Sequence, residues 1–350
     1  MSTRQLLLLG VLAAGLIAGV LYWDRREQPI EVEAQSLIFP DLAQRQDGID
    51  SIRVLGAGNA TLVALKKQAG VWRVLERDGW PADAGKISQT LFLLTQARLQ
   101  EAKTAEPALY SKIGVESIAD RWAQGMELRL DGGGKPLRLL IGHGHAGLDG
   151  NYVRVNDAAQ SWLTDRQLDI SRDPLEWLDH HLIDRPLARI EQVQVESSDG
   201  NDYALAFRDD RFRLVDIPSA AMGDSHAGDA MAGFLDQLNF DDFADDDGKA
   251  AVERKVRFLG VDGVSIVVDA WREQGKVWVR LSAAIDEARM ERWLSETGKS
   301  DPQQRAADLK NTRDQVASWQ AKFAGKRFLL PAFKAAILLM DRDQVLKGKE

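Results

Sequence analysis

Four short stretches carry residue types that could do chemistry. Gly142, His143, Gly144, His145, Ala146, Gly147 follows a strand-like run and has the lettering of a dinucleotide fingerprint, and its two imidazoles could share a metal ion. A working fingerprint opens a helix whose N-terminus meets the pyrophosphate, whereas here Asp149, Gly150, Asn151 leads into another strand. A hairpin loop is therefore expected, and two imidazoles with no third ligand nearby fall short of a metal site. Asp245, Asp246, Asp247, Gly248 has the glycine of a calcium loop. That alignment puts Phe243 and Arg254 where the first and twelfth carboxylates belong, which leaves a solvated acidic loop. Asp224, Ser225, His226 holds the three residue types of a hydrolytic triad, but neighbours in sequence do not align as acid, base and nucleophile. Gly223 to Gly228 also misses the nucleophile-elbow spacing. His180 and His181 follow Trp177 and Leu178 at what reads as a short helix end, where a capping or surface role is expected. No catalytic, cofactor-binding or metal residue is assigned on these grounds, and no cofactor is expected.

Composition narrows the field further. The absence of cysteine excludes disulfides, thiol nucleophiles and thiolate metal sites together. A net charge of −8 argues against nucleic acid as a partner of the bulk of the chain. Hydrophobic content of 45% with 28% charged residues is that of a globular protein with a packed core.

The elements that would position these residues read as strands with one helix per set. Apolar and polar residues alternate over Ile49 to Leu55, Thr61 to Leu65 and Val71 to Leu75. Trp80, Pro81, Ala82, Asp83 ends the extended chain, and Asp83 is placed to cap a helix carrying Ile87, Leu91, Leu94 and Arg98 on one face. Strands follow at Met126 to Leu130, Leu137 to Ile141, Tyr152 to Val155 and Ser161 to Leu163.

From about Ile190 the order begins again. Thr61 to Leu65 is matched by Tyr203 to Phe207, and Trp72 to Leu75 by Phe212 to Val215. The helix returns with Met231, Phe234, Leu235 and Leu238. Leu128, Arg129, Leu130 recurs as Val256, Arg257, Phe258, and Tyr152, Val153, Arg154, Val155 recurs as Trp278, Val279, Arg280, Leu281. The shared order implies two copies of one unit. The repeated arginines are expected on the outward side of their strands.

The second copy carries an insertion from about Ala284 to Gly325 that reads as two helices broken at Gly298. Ser300 with Gln303 resembles a capping box, and Pro302 fits a first turn. Along the second helix Ala306, Leu309, Val316, Trp319 and Phe323 fall on one side. That stripe either docks on its own domain or, through Leu309, Val316, Trp319 and Phe323, makes a candidate partner-binding face.

Leu6 to Trp23 is an unbroken apolar run of membrane-spanning length. Its small residues lie inside the run and are followed by Val20, Leu21, Tyr22 and Trp23, so an uncleaved anchor is expected rather than a removed signal. Gly15 and Gly19 are spaced for close approach of another membrane helix. Arginine counts on the two flanks nearly tie, but one large domain after an N-terminal span is the usual layout of an exported, tethered protein.

The fold class expected is thus α+β: an N-terminal transmembrane helix, then two related antiparallel sheet-plus-helix units. The expected limits are a cytoplasmic tip at 1–5, the anchor at 6–23, a linker at 24–48, the first unit at 49–187 and the second at 188–350.

Gly70, Val71, Trp72, then Trp80 to Asp83, Tyr110 to Gly114, Leu140 to Gly142, Gly150 to Arg154, and Asp173 to Asp179 together resemble the bacterial domain of unknown function 4340 family. The resemblance covers about Ile49 to Val195 well and the second copy loosely. It implies an inner-membrane-anchored protein associated with an ABC-type export system similar to the gliding-motility auxiliary transporters, and it brings no catalytic residues. A non-enzymatic accessory or scaffold protein of an ABC-type transport or envelope complex is expected, spanning the membrane once with its bulk on the periplasmic side. Two other readings stand beside it. One is a periplasmic ligand-binding module for a glycan or peptide, using Trp72, Trp122, Trp162 or Trp278. The other is an envelope hydrolase using His143, His145 or Asp245 to Asp247.

Overall fold

The computed structural model describes residues 36–218, 226–297 and 301–347. The expected anchor with Gly15 and Gly19 lies outside the described residues, as do Gly223, Asp224, Ser225, Gly298 and Ser300. Among the described residues no helix is long and apolar enough to cross a membrane. The fold is α+β with antiparallel sheets. The chain divides into two compact units between Asp179 and His180.

The first unit runs β1 (Ser36–Leu37), α1 (Leu42–Arg45), β2 (Ile49–Leu55), β3 (Thr61–Gln68), β4 (Val71–Val74), β5 (Trp80–Pro81), α2 (Ala84–Gln96), β6 (Arg98–Ala102), α3 (Tyr110–Ile113), β7 (Met126–Gly132), β8 (Leu137–Gly144), β9 (Asn151–Val155) and β10 (Ser161–Thr164). Its ten strands form one sheet in the order 1-6-10-9-8-7-2-3-4-5. Alternation decides which side is buried. Ile52 stands opposite Leu65 and Leu130, and Val54 opposite Val63 and Leu128, so these six line the inward face. The Asp83 carboxylate accepts from the Lys86 N–H at 3.0 Å and starts α2, which buries Ile87, Leu91 and Leu94. The helix stops at Gln96, so Arg98, expected on its apolar face, opens β6 instead. Residues 36–48, expected as linker, belong to the fold: β1 pairs with β6, and Ile38, Phe39 and Leu42 are buried.

The second unit runs β11 (His181–Ile183), β12 (Ile190–Ser197), β13 (Tyr203–Arg208), β14 (Arg211–Leu214), α4 (Ala227–Ala232), β15 (Leu238–Asn239), β16 (Asp242–Asp245), β17 (Arg254–Gly260), β18 (Val264–Glu273), β19 (Lys276–Ile285), α5 (Glu287–Glu296), α6 (Pro302–Phe323), β20 (Lys326–Leu329), α7 (Ala332–Leu338) and α8 (Arg342–Lys347). Eight strands form a sheet in the order 14-13-12-17-18-19-20-16, and β11 pairs with β15 beside it. That pairing places 180–187 with the second unit, ahead of the division expected at 187/188.

The two strand orders coincide when β6, β10, β9, β8, β7, β2, β3 and β4 are laid on β16, β20, β19, β18, β17, β12, β13 and β14. Where β1 pairs with β6 itself in the first unit, β11 of the second pairs with β15, just ahead of β16 in the chain, in a separate two-stranded sheet. The registers match residue for residue: Val54 opposite Leu128 and Val63 corresponds to Val195 opposite Val256 and Tyr203. Val63 is therefore the counterpart of Tyr203, and the Thr61-to-Tyr203 alignment expected from sequence is two residues out. A slip of two keeps every side chain on its own face, which is why the pattern alone did not expose it.

The insertion forms α5 and α6. The cap of α6 is Asp301, whose carboxylate accepts from the Gln303 N–H at 2.9 Å, with Pro302 in the first turn. Leu309, Val316, Trp319 and Phe323 are buried at 8%, 3%, 8% and 3% exposure. The Phe323 ring meets Phe328 of β20 edge-on at 6.2 Å, and Gln320 Nε2 donates to the Ala283 carbonyl of β19 at 2.8 Å. The apolar stripe of α6 is therefore packed largely against its own unit.

Candidate functional site

Among the described residues, the histidines of the 142–147 stretch and the acids of 245–247 are held locally. His143 Nε2 lies 2.8 Å from Gln124 Oε1, and His145 Nδ1 accepts from the Gly147 N–H at 3.1 Å. β8 and β9 form the expected hairpin around them. Of its glycines, Gly142 serves packing: a Cβ there would lie 2.2 Å from the Ile113 carbonyl oxygen, as one on neighbouring Gly125 would lie 2.2 Å from that of Gly114. Asp245 pairs with Lys326 at 2.6 Å, Asp246 with Arg280 at 2.8 Å, and Asp247 with Lys249 at 3.2 Å. Among the described residues no three His, Asp or Glu side chains gather to hold a metal ion. His180 Nδ1 lies 2.7 Å from the Phe240 carbonyl oxygen.

Within the first unit, Trp72 and Trp162 do not share one hollow. Trp72 on β4 and Trp162 on β10 are six strand steps apart in the first sheet, which is about 29 Å at roughly 4.8 Å per step. Trp122 is 74% exposed with Arg121 over its ring, and Trp278 on β19 is covered by Arg327 at 4.6 Å.

A cleft of about 370 Å³ does open in the second unit, where α5 and α6 lean over the start of β12 and the turn between β17 and β18. That volume is within the range of small-ligand sites. Its floor is Arg185 and Asp262, both buried and joined through Arg185 Nη2 and Asp262 Oδ1. The same carboxylate oxygen accepts from the Val264 N–H at 3.3 Å, while Oδ2 faces Arg189 Nη1 at 3.9 Å. Arg189 lies over the Trp293 ring at 4.9 Å, a cation–π contact that holds the guanidinium at the rim. Along α6, Asp308, Asn311, Thr312 and Gln315 line the opposite wall at helical spacing.

Backbone geometry makes room for this floor. A Cβ on Gly260 would come 2.4 Å from Arg185 Nη2 and 2.6 Å from Asp262 Oδ1, so only glycine leaves the ion pair intact. Gly263, with φ of +75°, closes the turn, and a Cβ there would meet the Asp286 carbonyl oxygen at 2.4 Å. The Asp286 N–H donates back to the Gly263 carbonyl at 2.9 Å, and its carboxylate caps α5 through the Arg289 N–H at 3.1 Å. Arg289 then pairs with Glu191 of β12, and Arg313 of α6 with Glu287 of α5 at 2.6 Å.

The matching corner of the first unit is shut. There the turn after β7 is Gly132, Gly133, Gly134, and a Cβ on the first two would lie 2.3 Å from the Gly48 oxygen and 2.6 Å from the Arg45 oxygen. Backbone packs on backbone where the second unit has Arg185, Asp262 and open space. None of the cleft residues except Trp319 was singled out from sequence, because Arg185 and Asp262 are 77 positions apart. The available signal was local: two arginines flanking Pro186 just before a strand, and a Gly-Val-Asp-Gly turn.

The model of the family described as Domain of unknown function (DUF4340) matches residues 72–255. The chain belongs to this family. The DUF4340 match opens in β4 and closes in β17, so it takes in Arg185 and Arg189 and stops short of Asp262, α5 and α6. No curated protein and no solved structure matches the chain.

Proposed function

We propose that this DUF4340 protein is a membrane-tethered, non-enzymatic accessory or scaffold protein of an ABC-type transport or envelope complex. In this reading the 6–23 run anchors it in a bacterial inner membrane, and the two units, copies of one ancestral module, stand on the periplasmic side. The observation that carries the reading is that the second copy departs from the first at a corner rebuilt by α5 and α6 into a cleft, while His143, His145 and Asp245 to Asp247 are tied up in local hydrogen bonds and ion pairs. Elaboration of a repeated scaffold at one corner is how a binding surface is added without disturbing a core. Purification of the full chain in a mild detergent tests it: transporter or envelope subunits should accompany the protein, and a protein that emerges alone, or in the soluble fraction with its first residues removed, overturns it.

A second reading, a periplasmic ligand-binding module for a glycan or peptide, is favoured by the cleft itself. Its aromatic and polar lining comes from Trp293, Trp319, Asn311 and Gln315 rather than from the tryptophans on the strands.

A further inference from the structure

The cleft over Arg185 and Asp262 is lined by charges of both signs. Arg185 and Arg189 stand against Asp184, Asp262 and Asp308, so a bound anion would face three carboxylates and a bound cation two guanidiniums. These charges are largely spent already: Arg185 pairs with Asp262, and Asp184 accepts from the Gln237 N–H at 3.2 Å and from Gln237 Nε2 at 3.4 Å. A neutral ligand is repelled by neither set.

Backbone donors around the cleft are spent as well. The N–H of Arg185 donates to the Leu235 carbonyl at 3.1 Å, that of Arg189 to Pro186 at 2.9 Å and that of Gly263 to Gly260 at 3.2 Å, while the Val264 N–H goes to Asp262 Oδ1 at 3.3 Å. A peptide laid along a strand edge is held by main-chain hydrogen bonds, and these four N–H groups offer it none. Recognition falls to side chains. Asn311 and Gln315, one turn apart on α6, line the cleft and have no hydrogen-bond partner among the described residues. Their amides both donate and accept, as a hydroxyl does, so each can meet a hydroxyl of a sugar ring in either sense. Arg189, 44% exposed and 3.9 Å from Asp262 Oδ2, adds a donor at the rim. Trp293 and Trp319 supply apolar surface beside these polar groups, and the volume of about 370 Å³ admits a small ligand.

We propose that the cleft binds a neutral sugar of one or two rings, its hydroxyls met by Asn311, Gln315 and Arg189 and its C–H surface by the indoles of the same lining. The inference rests on the ligand-binding reading, which it deepens by choosing glycan over peptide, and it needs no transporter.

Titration calorimetry on the full chain, in a detergent without a sugar headgroup, tests it. The probes are maltose, lactose and diacetylchitobiose, with deacetylated chitobiose as a cationic counterpart and a dipeptide blocked at both ends as a neutral peptide. A neutral disaccharide should bind saturably, and the cationic one at least about tenfold more weakly. Asn311→Ala combined with Gln315→Ala should weaken the bound sugar at least about tenfold with circular dichroism unchanged, while Asp314→Ala, on α6 but outside the lining, should leave it as it was. Deacetylated chitobiose binding as tightly as the neutral sugars would overturn the neutral assignment. Sugar binding that the double variant leaves intact, or that Asp314→Ala weakens equally, would overturn the placement in this cleft. The blocked dipeptide binding where the sugars do not would overturn the sugar and leave the ligand-binding reading standing. No saturable binding by any probe up to about 10 mM would remove both.

Discussion

Arg154 in β9 and Arg280 in β19 hold the same register position in their two sheets, each one residue beyond a fully buried valine, Val153 and Val279. Their surroundings differ. Arg154 lies over the Tyr110 ring at 4.3 Å, whereas Arg280 pairs with Asp246 at 2.8 Å and reaches Asp269 at 3.4 Å. The scaffold has been kept and the outward side chains re-used. The carboxylate of Asp246 is 5% exposed, so removing its partner strands a buried charge. Arg280→Ala should therefore cost about 3–5 kcal/mol, the range for breaking a buried pair. Arg154→Ala should cost nearer 1 kcal/mol, the loss of a cation–π contact. Urea unfolding of the two variants checks the order, and equal losses would contradict it.

The Gly-His-Gly-His stretch separates a packing role from a metal role. A methyl group on Gly142 must displace the Ile113 carbonyl, so Gly142→Ala should destabilise by about 1–3 kcal/mol, the usual cost of overpacking. His143 bonds Gln124 near the surface, and His143→Ala should stay within about 0.5 kcal/mol. Thermal melts with and without added zinc test both halves. A zinc-dependent rise in Tm that His143→Ala removes would restore the metal reading.

Much of the fold was legible because strands with one buried face write their period into the sequence. β2, β7 and β9 show it in their alternation, and Asp83 announces α2 by its capping chemistry. β6 stayed hidden because only Leu99 of its five residues is buried, which leaves no alternation to read. The Ser300 cap gave way to Asp301 because adjacent capping residues are indistinguishable until the first turn is placed. The cleft was illegible for a different reason. Its floor joins two residues from distant turns, and its walls come from a helix whose apolar stripe drew attention away from the polar stripe that faces the cavity.

Asp262 is the keystone of that floor. Asp262→Ala would leave the buried Arg185 guanidinium without its counter-charge and should destabilise by about 3–5 kcal/mol. Arg185→Met combined with Asp262→Leu replaces the pair by apolar groups and should recover most of that loss, since a buried pair adds little net stability over a well-packed hydrophobic replacement. Equilibrium unfolding of the single and double variants gives the comparison. A double variant as unstable as Asp262→Ala would mean that the corner depends on the charges themselves.

Tyr203 offers a test at alkaline pH. Its hydroxyl donates to the Met340 carbonyl at 2.8 Å, and Arg254 donates to the same oxygen and to that of Leu338 at 3.4 Å, so the two side chains together hold the chain leaving α7. Burial raises the Tyr203 phenol well above its ordinary value, outweighing the opposing pull of Arg254. A raised folded-state value means that the native protein keeps this proton longer than the unfolded chain does. The stabilisation is whole below the ordinary phenol pKa near 10 and is lost as the pH climbs above it toward the raised value. Tyr203→Phe should therefore be less stable at neutral pH through the lost hydrogen bond, yet lose less stability than the parent between about pH 10 and pH 11. Unfolding measured across that interval, with phenolate absorbance followed in parallel, decides it. A parent and variant that decline together would show that Tyr203 ionises as freely as an exposed tyrosine.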